Sequence, residues 1–310
     1  MASKLSHYIW FFDTILHSNR ISQKEIEKKW ELSPFYDGKK LSRSTFVRWK
    51  ETAEEIFDIN IECDIKGGYC YYIEDNDKIN KDNDLRVWLL ENYHISNILN
   101  SSISIRDKII TENNPSAKNF LFEITTAIKE NSALEFTYKK YGENDVEETI
   151  YGLPLGLKQY KQRWYMLFQK ETDKIRIYGL DRISDLKIVP NSENTPKMDI
   201  TPATYWHNYY GIYTTNTDKR PDEVKLQPDE VKLKVSPRFS KFLRSLPLHH
   251  SQKEVEKNED FSIFTYQLCI ERDFISEILS NGTDIEVLEP QSLREEVSAT
   301  IRKMLGKYEL

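Results

Sequence analysis

Cysteine is nearly absent from this chain. Cys63, Cys70 and Cys269 make an odd count with no Cys-x-x-Cys spacing, so neither a disulfide framework nor a zinc site is indicated, and a reducing cytoplasm fits. Glycine is scarce as well, at 10 of 310 residues, and none belongs to a phosphate-binding loop or a Gly-x-Ser-x-Gly elbow. An HExxH helix is also missing. Nothing in the sequence therefore motivates an enzyme, a metal site or a resident cofactor. No window approaches the ~20 apolar residues that span a bilayer. The opening MASKLSHYIWFFDTIL lacks the basic start, long apolar core and cleavage site of a signal peptide. A soluble intracellular protein is the expectation.

Aromatic residues and charge are plentiful, with 18 Tyr, 14 Phe and 6 Trp beside 30% charged residues. Such rings fill cores or stack on ligands. The formal charge of −6 argues against a wholly basic coat, yet residues 18–50 hold nine Lys or Arg against four acids, a local +5. At 310 residues the chain exceeds one typical core, and three domains with connecting segments are expected.

Apolar Leu5, Ile9, Phe12 and Leu16 recur at helical spacing and predict a first helix over 3–17. Ser22 and Glu25 form the Ser-x-x-Glu of a capping box, and Ile21 with Ile26 suits a hydrophobic staple, so a second helix is predicted over 23–31. After a loop at Pro34, Asp37 and Gly38, Ser42 caps a third helix. Its buried side is read as Phe46, Trp49 or Lys50, Ala53, Ile56 and Phe57, and its outer side as Arg43, Ser44, Val47, Arg48 and Glu51. Two strands then flank Gly67-Gly68, a two-residue turn that would pair Ile65 with Cys70 and Cys63 with Tyr72. The two cysteines would stand diagonally, against a disulfide.

Three helices and a hairpin follow the order of a winged helix-turn-helix, assigned to 1–76. In that fold Arg43, Ser44 and Thr45 present donors to base edges, with Arg48 on the same outer side. Lys39, Lys40 and wing-tip Lys66 would neutralise phosphates of duplex DNA. A solvated basic face is the plain alternative.

The polar stretch DNDKINKDND opens a helical linker over 77–130, with helices predicted at 85–99 and 120–128 around a break at Asn113-Asn114-Pro115-Ser116. Trp88, Leu89, Ile95, Ile98 and Leu99 need burial, against neighbouring domains, in a dimer interface, or both. A homodimer is expected, because helix-turn-helix proteins commonly read two-fold sites. From Ala133 to Val189 five short strands predict a small β-barrel, assigned to 131–195. Ile175 and Ile177 share one face of the fourth strand, so Lys174, Arg176 and Tyr178 share the other. Arginines beside tyrosines suit a nucleotide, since guanidinium groups fork onto phosphates and rings stack on bases. The candidates are Tyr138, Tyr151, Arg163, Arg176, Tyr178 and Arg182. Trp164 and Met166 read better as core, and Arg182 also suits an ion pair near Asp181.

Trp164-Tyr165-Met166, preceded by Pro154-Leu155-Gly156-Leu157 and followed by Arg176-Ile177-Tyr178-Gly179-Leu180-Asp181-Arg182-Ile183, resembles the signature of the WYL-domain transcription regulators. Met166 departs from the family's Leu, a volume-conserving change. Leu41-Ser42-Arg43-Ser44-Thr45-Phe46 and Gly68-Tyr69-Cys70-Tyr71-Tyr72-Ile73 resemble that family's winged head, while the linker keeps only Pro115-Ser116 of its usual motif. The resemblance implies an Sm-like or SH3-like barrel that senses single-stranded nucleic acid or a small nucleotide.

A connector over 196–229 holds TYWHNYYGIY, read as a short docking helix. Pro221-Asp222-Glu223-Val224-Lys225-Leu226 recurs as Pro228-Asp229-Glu230-Val231-Lys232-Leu233, a local duplication of which the second copy suits a strand. Over 230–310, strands and helices at 231–235, 238–246, 262–270, 273–280, 284–288 and 291–306 follow a ferredoxin-like order. Ile278-Leu279-Ser280-Asn281-Gly282 and Val287-Leu288-Glu289-Pro290 resemble the family's C-terminal extension, which implies dimer contacts and closure over the ligand. His249-His250, if on a strand, point oppositely and make no metal site. The whole reads as a multidomain α+β regulator, a ligand-responsive repressor of transcription. The alternative is an RNA-binding or single-stranded-DNA-binding adaptor without an operator.

Overall fold

The computed structural model describes residues 4–33, 35–65, 67–74, 85–101, 103–110, 118–141, 146–171, 174–191, 196–214 and 227–308. Lys66, the stretches at 75–84 and 111–117, and the first copy of the duplication at 221–226 lie outside them. The chain divides into two units, Met1–Thr111 and Glu112–Leu310, each mixing helices with antiparallel sheet.

In the first unit, helices α1 (Lys4–Leu16), α2 (Gln23–Glu31) and α3 (Arg43–Phe57) surround a core of Phe11, Phe12, Ile15, Ile26, Trp30, Phe46, Trp49 and Ala53. Strands β1 (Ile21–Ser22), β2 (Ile61–Asp64) and β3 (Cys70–Ile73) form a sheet in the order β1-β3-β2. The capping box at Ser22 is formed in both directions, and buried Ile21 and Ile26 flank it. Two helix faces differ from expectation, since Leu5 and Ile56 are exposed. Trp10 and Phe11 widen the buried face of α1 instead.

The hairpin register also differs. Asp64 pairs with Cys70 and Cys63 with Tyr71, so the connection is longer than a two-residue Gly-Gly turn. Asp64 is the cause: its side chain accepts from the Gly67 amide at 2.8 Å and its carbonyl from the Tyr69 amide at 2.9 Å. Those bonds close a wider loop in which Gly68 and Tyr69 take positive φ. All three cysteines are free. Helix α4 (Leu85–Ser101) packs through Leu90, Val87 and Tyr93, whereas Trp88, Leu89 and Ile95 are exposed on the single chain. Arg86 donating to the Asp58 carbonyl fixes that rotation. The side chains of Ile98 and Leu99 fall outside the described residues.

The second unit begins with α5 (Leu121–Glu130), laid on a five-stranded antiparallel sheet in the order β7-β6-β5-β4-β8. Its strands are β4 (Ala133–Lys139), β5 (Glu147–Tyr160), β6 (Arg163–Glu171), β7 (Lys174–Gly179) and β8 (Ile183–Val189). Strand β5 pairs with β4 through Gly152 and with β6 from Leu153 onward, so one strand serves both halves of the sheet. Gly152 allows the changeover, because a Cβ there would collide with the Gln169 carbonyl. One face of the sheet gathers Phe136, Tyr138, Ile150, Met166, Phe168 and Tyr178 with Ile124 of α5. The opposite face carries Leu155, Leu167 and Ile175 against Trp206 and Tyr209, which follow the short helix α6 (Pro202–Tyr205).

Beyond residue 227 the elements run β9 (Asp229–Val235), α7 (Pro237–Ser245), β10 (Lys253–Lys257), β11 (Ser262–Leu268), α8 (Arg272–Ser280), β12 (Ile285–Glu289) and α9 (Gln291–Leu305). The sheet order β10-β11-β9-β12 puts the first strand of this domain between its third and fourth, all neighbours antiparallel. Val231, Leu233 and Val235 of the second repeat copy enter the core. Strand β10 was not expected from the sequence: every residue of KEVEK is exposed on an edge, so no apolar alternation betrays it. No helix among the described residues is long and apolar enough to cross a membrane.

Candidate functional sites

In the first unit the candidates cluster at the start of α3. Ser42 accepts the Thr45 amide at 3.2 Å and lies 2.9 Å from the Thr45 hydroxyl and 3.1 Å from that of Ser44, so both hydroxyls are engaged at the cap. Lys39, Lys40, Arg43, Ser44 and Arg48 are exposed and Thr45 is half-buried. None of the four cations forms an ion pair among the described residues. Two other local cations are committed elsewhere, Arg20 to Asp64 at 2.6 Å and Lys50 to Glu54 at 2.8 Å. The first two turns of α3 thus carry two exposed arginines with no acidic residue in the first turn, an arrangement suited to anions.

In the second unit the six candidates separate. Tyr178 is only 5% exposed and belongs to the core, its ring edge-on to Phe136, Tyr138 and Phe168. Burial, followed by the Glu148 carboxylate, pushes its phenol well above the ordinary range. Arg176, half-buried in register with Phe168, donates to the Ile175 carbonyl at 3.1 Å. Tyr151 donates to the Pro190 carbonyl at 3.3 Å.

Tyr138, Arg163 and Arg182 come together at the end of β7. The Arg182 guanidinium lies 5.0 Å from the ring centroids of both Tyr138 and Tyr141. Asp181 stands between the two arginines, 3.3 Å from Arg163 and 3.9 Å from the Arg182 Nε. Asp181 Oδ1 and Arg182 Nε are buried without a hydrogen-bond partner. Such orphaned polar atoms are costly, and a bound polar group would satisfy them. Gly179 makes the geometry possible, since a Cβ there would meet Asp181 Oδ1 at 2.7 Å and an Arg182 terminal nitrogen at 2.9 Å. Tyr141 was missed from sequence, although Tyr138-Lys139-Lys140-Tyr141 held the clue of two rings separated by lysines.

Comparison with family models finds a WYL domain over residues 119–188 and a WCX domain over residues 227–305. The chain thus carries a WYL domain and a WCX domain. All six ligand candidates fall inside the WYL domain, and the second repeat copy falls inside the WCX domain. Among solved structures, the chain is similar to proteasome accessory factor B/C (PafBC) of Arthrobacter aurescens, at 14% identity and a TM-score of 0.35 over 96% of this chain and 46% of that one. It is also similar to a CRISPR Cas-related protein, at 17% identity and a TM-score of 0.21 over 61% of this chain and 52% of the other. The matches thus span about half of each of those chains. A search of the curated proteins finds no match.

The WYL and WCX domains meet through the connector. Asp273 of α8 accepts the Ile212 amide at 2.7 Å and the Tyr213 amide at 3.0 Å. Glu277 accepts from the Tyr210 hydroxyl at 2.7 Å and pairs with Lys161, in the β5–β6 turn, at 3.3 Å. Lys158 donates to the Gly211 carbonyl at 2.6 Å beneath the Trp206 ring, and burial lowers its ammonium to about 8. His249 and His250 sit in a turn, not on a strand. Their rings lie 4.1 Å apart and both face the His207 carbonyl, so the expectation of opposed side chains is corrected. No cluster of metal-binding residues occurs among the described residues.

Proposed function

We propose that the chain is a ligand-responsive, DNA-binding transcriptional repressor. Its head acts as a winged helix-turn-helix, its WYL domain as an Sm-like or SH3-like sensor of a nucleotide or single-stranded nucleic acid, and its WCX domain in assembling a homodimer on a two-fold operator. The observation that carries the reading is the pairing of two features in one chain. One is the Ser42-capped α3 with Arg43 and Arg48 exposed at its start; the other is the WYL domain with Arg182 between Tyr138 and Tyr141. Guanidinium groups facing outward at a helix start match the donors that read guanine in the major groove. A guanidinium flanked by rings matches the recognition of phosphate and base together.

The test is selection of bound fragments from random duplex DNA, followed by titration. Specific binding to inverted half-sites, lost in an Arg43→Ala, Arg48→Ala variant, is the expected result. Equal affinity for scrambled duplex overturns the operator reading and favours an adaptor that binds nucleic acid without sequence preference.

A further inference from the structure

Lys140, Glu148 and Lys170 converge from three neighbouring parts of the WYL sheet. Lys140 follows β4, Glu148 lies in β5 and Lys170 in β6. The two ammonium groups take different oxygens of one carboxylate: Lys140 Nζ is 2.6 Å from Oε2 and Lys170 Nζ is 2.7 Å from Oε1. Glu148 is in register with Tyr138 across β4 and β5, and its charge is felt by the Tyr178 phenol. The clamp therefore borders the rings that surround Arg182. It is also open to solvent, with the side chains of Lys140, Lys170 and Glu148 at 58%, 31% and 34% exposure.

We propose that Lys140 and Lys170 form a phosphate subsite, and that Glu148 occupies it as a displaceable carboxylate in the unliganded protein. The proposal rests on the sensor reading above and assigns that sensor a residue-level anion position. A carboxylate presents two oxygens at a spacing close to that of two phosphate oxygens, so an arrangement that holds one holds the other. Lysine ammonium groups bind phosphate as point charges and tolerate the exchange without a fixed fork geometry. Half-exposed ion pairs are weakly held because water screens them, so a phosphate of greater charge can displace the glutamate. Hydrogen bonds from the two lysines hold the Glu148 carboxyl down at about 2, a sign that both ammonium groups act on the same anion.

Anisotropy of a short fluorescein-labelled oligothymidylate, titrated with the full chain, tests the inference. Glu148→Gln is expected to tighten binding about fivefold by removing the internal competitor. Glu148→Asp, which keeps the charge on a shorter stem, is expected to fall between wild type and Glu148→Gln. Glu147→Gln changes net charge equally from an exposed position and should match wild type. Replacing both lysines with Gln should abolish the gain and lower the salt slope by about one unit. Thermal melts of each variant separate these effects from loss of fold. Glu148→Gln binding no better than Glu147→Gln overturns the subsite, whereas wild-type binding that Arg182→Ala still weakens leaves the sensor reading standing. Absence of binding by every form overturns both.

Discussion

Arg182 holds its guanidinium 5.0 Å over the ring of Tyr138, a tyrosine only 4% exposed, so a permanent cation rests against the edge of the WYL core. The second ring, Tyr141, is largely exposed and makes the outer half of the clasp. Arg182→Met keeps the aliphatic stem and removes the charge. It is expected to lose about 1 kcal/mol of stability, the usual worth of a partly desolvated cation–π pair. The same variant should weaken oligonucleotide binding about tenfold, because a charge-assisted phosphate contact is lost. Urea denaturation and anisotropy on one preparation measure the two effects.

Gly152→Ala should be far more damaging than its single added methyl suggests. The Cβ would press on the Gln169 carbonyl and on the Phe168 ring, neither of which can retreat without opening the β5–β6 ladder. A loss of about 2–4 kcal/mol is expected, read as a fall in melting temperature.

His249 gives the stability a pH dependence of definite sign. Burial first, then neighbouring His250, His207 and Lys158, depresses the folded imidazole from 6.5 to about 4, opposed by its hydrogen bond to the His207 carbonyl. The unfolded chain therefore binds the proton first. The stabilisation is complete above pH ~6.5 and is lost progressively as the pH falls through the folded value near 4. About 1–3 kcal/mol is at stake. Most of this window lies above that of Glu148 and Glu254, whose carboxyls are both held near 2, so that their stabilisation is fully present above pH ~4.5 and is lost only below it. Melting temperatures between pH 7 and pH 5 should fall for wild type and fall less for His249→Gln.

Asp273 anchors the connector by accepting two backbone amides, and Gly211 lets its side chain approach where a Cβ would clash. Asp273→Ala strands the Ile212 and Tyr213 amides and should cost about 2–3 kcal/mol. Limited proteolysis should then cut within 206–214 sooner than in wild type, while Asp273→Asn, which retains one acceptor oxygen, should be intermediate.

Local chemistry was legible in the sequence wherever one residue decided the outcome. The Ser22–Glu25 box set the start of α2, and strand parity correctly divided Ile175 from Tyr178. Reading failed where the deciding partner was distant or polar. The turn after β2 is governed by Asp64 rather than by the Gly-Gly pair, and β10 is a strand only because β11 lies beside it. Among the candidates, the sequence did not show that Tyr138 and Tyr178 are both buried in the core, with Arg182 lying over the first of them. Period-two alternation says which residues share a face and is silent on which face is closed by a helix, here α5.

Strand β5 runs for 14 residues, from Glu147 to Tyr160, passing from β4 to β6 after Gly152 and bulging at Leu155. Near its start stands Glu148, held by two lysines; just past its end stands Lys161, paired with Glu277 of the WCX domain. The proposed anion position and the domain contact thus sit at opposite ends of one strand, joined by backbone that changes partner and bulges between them.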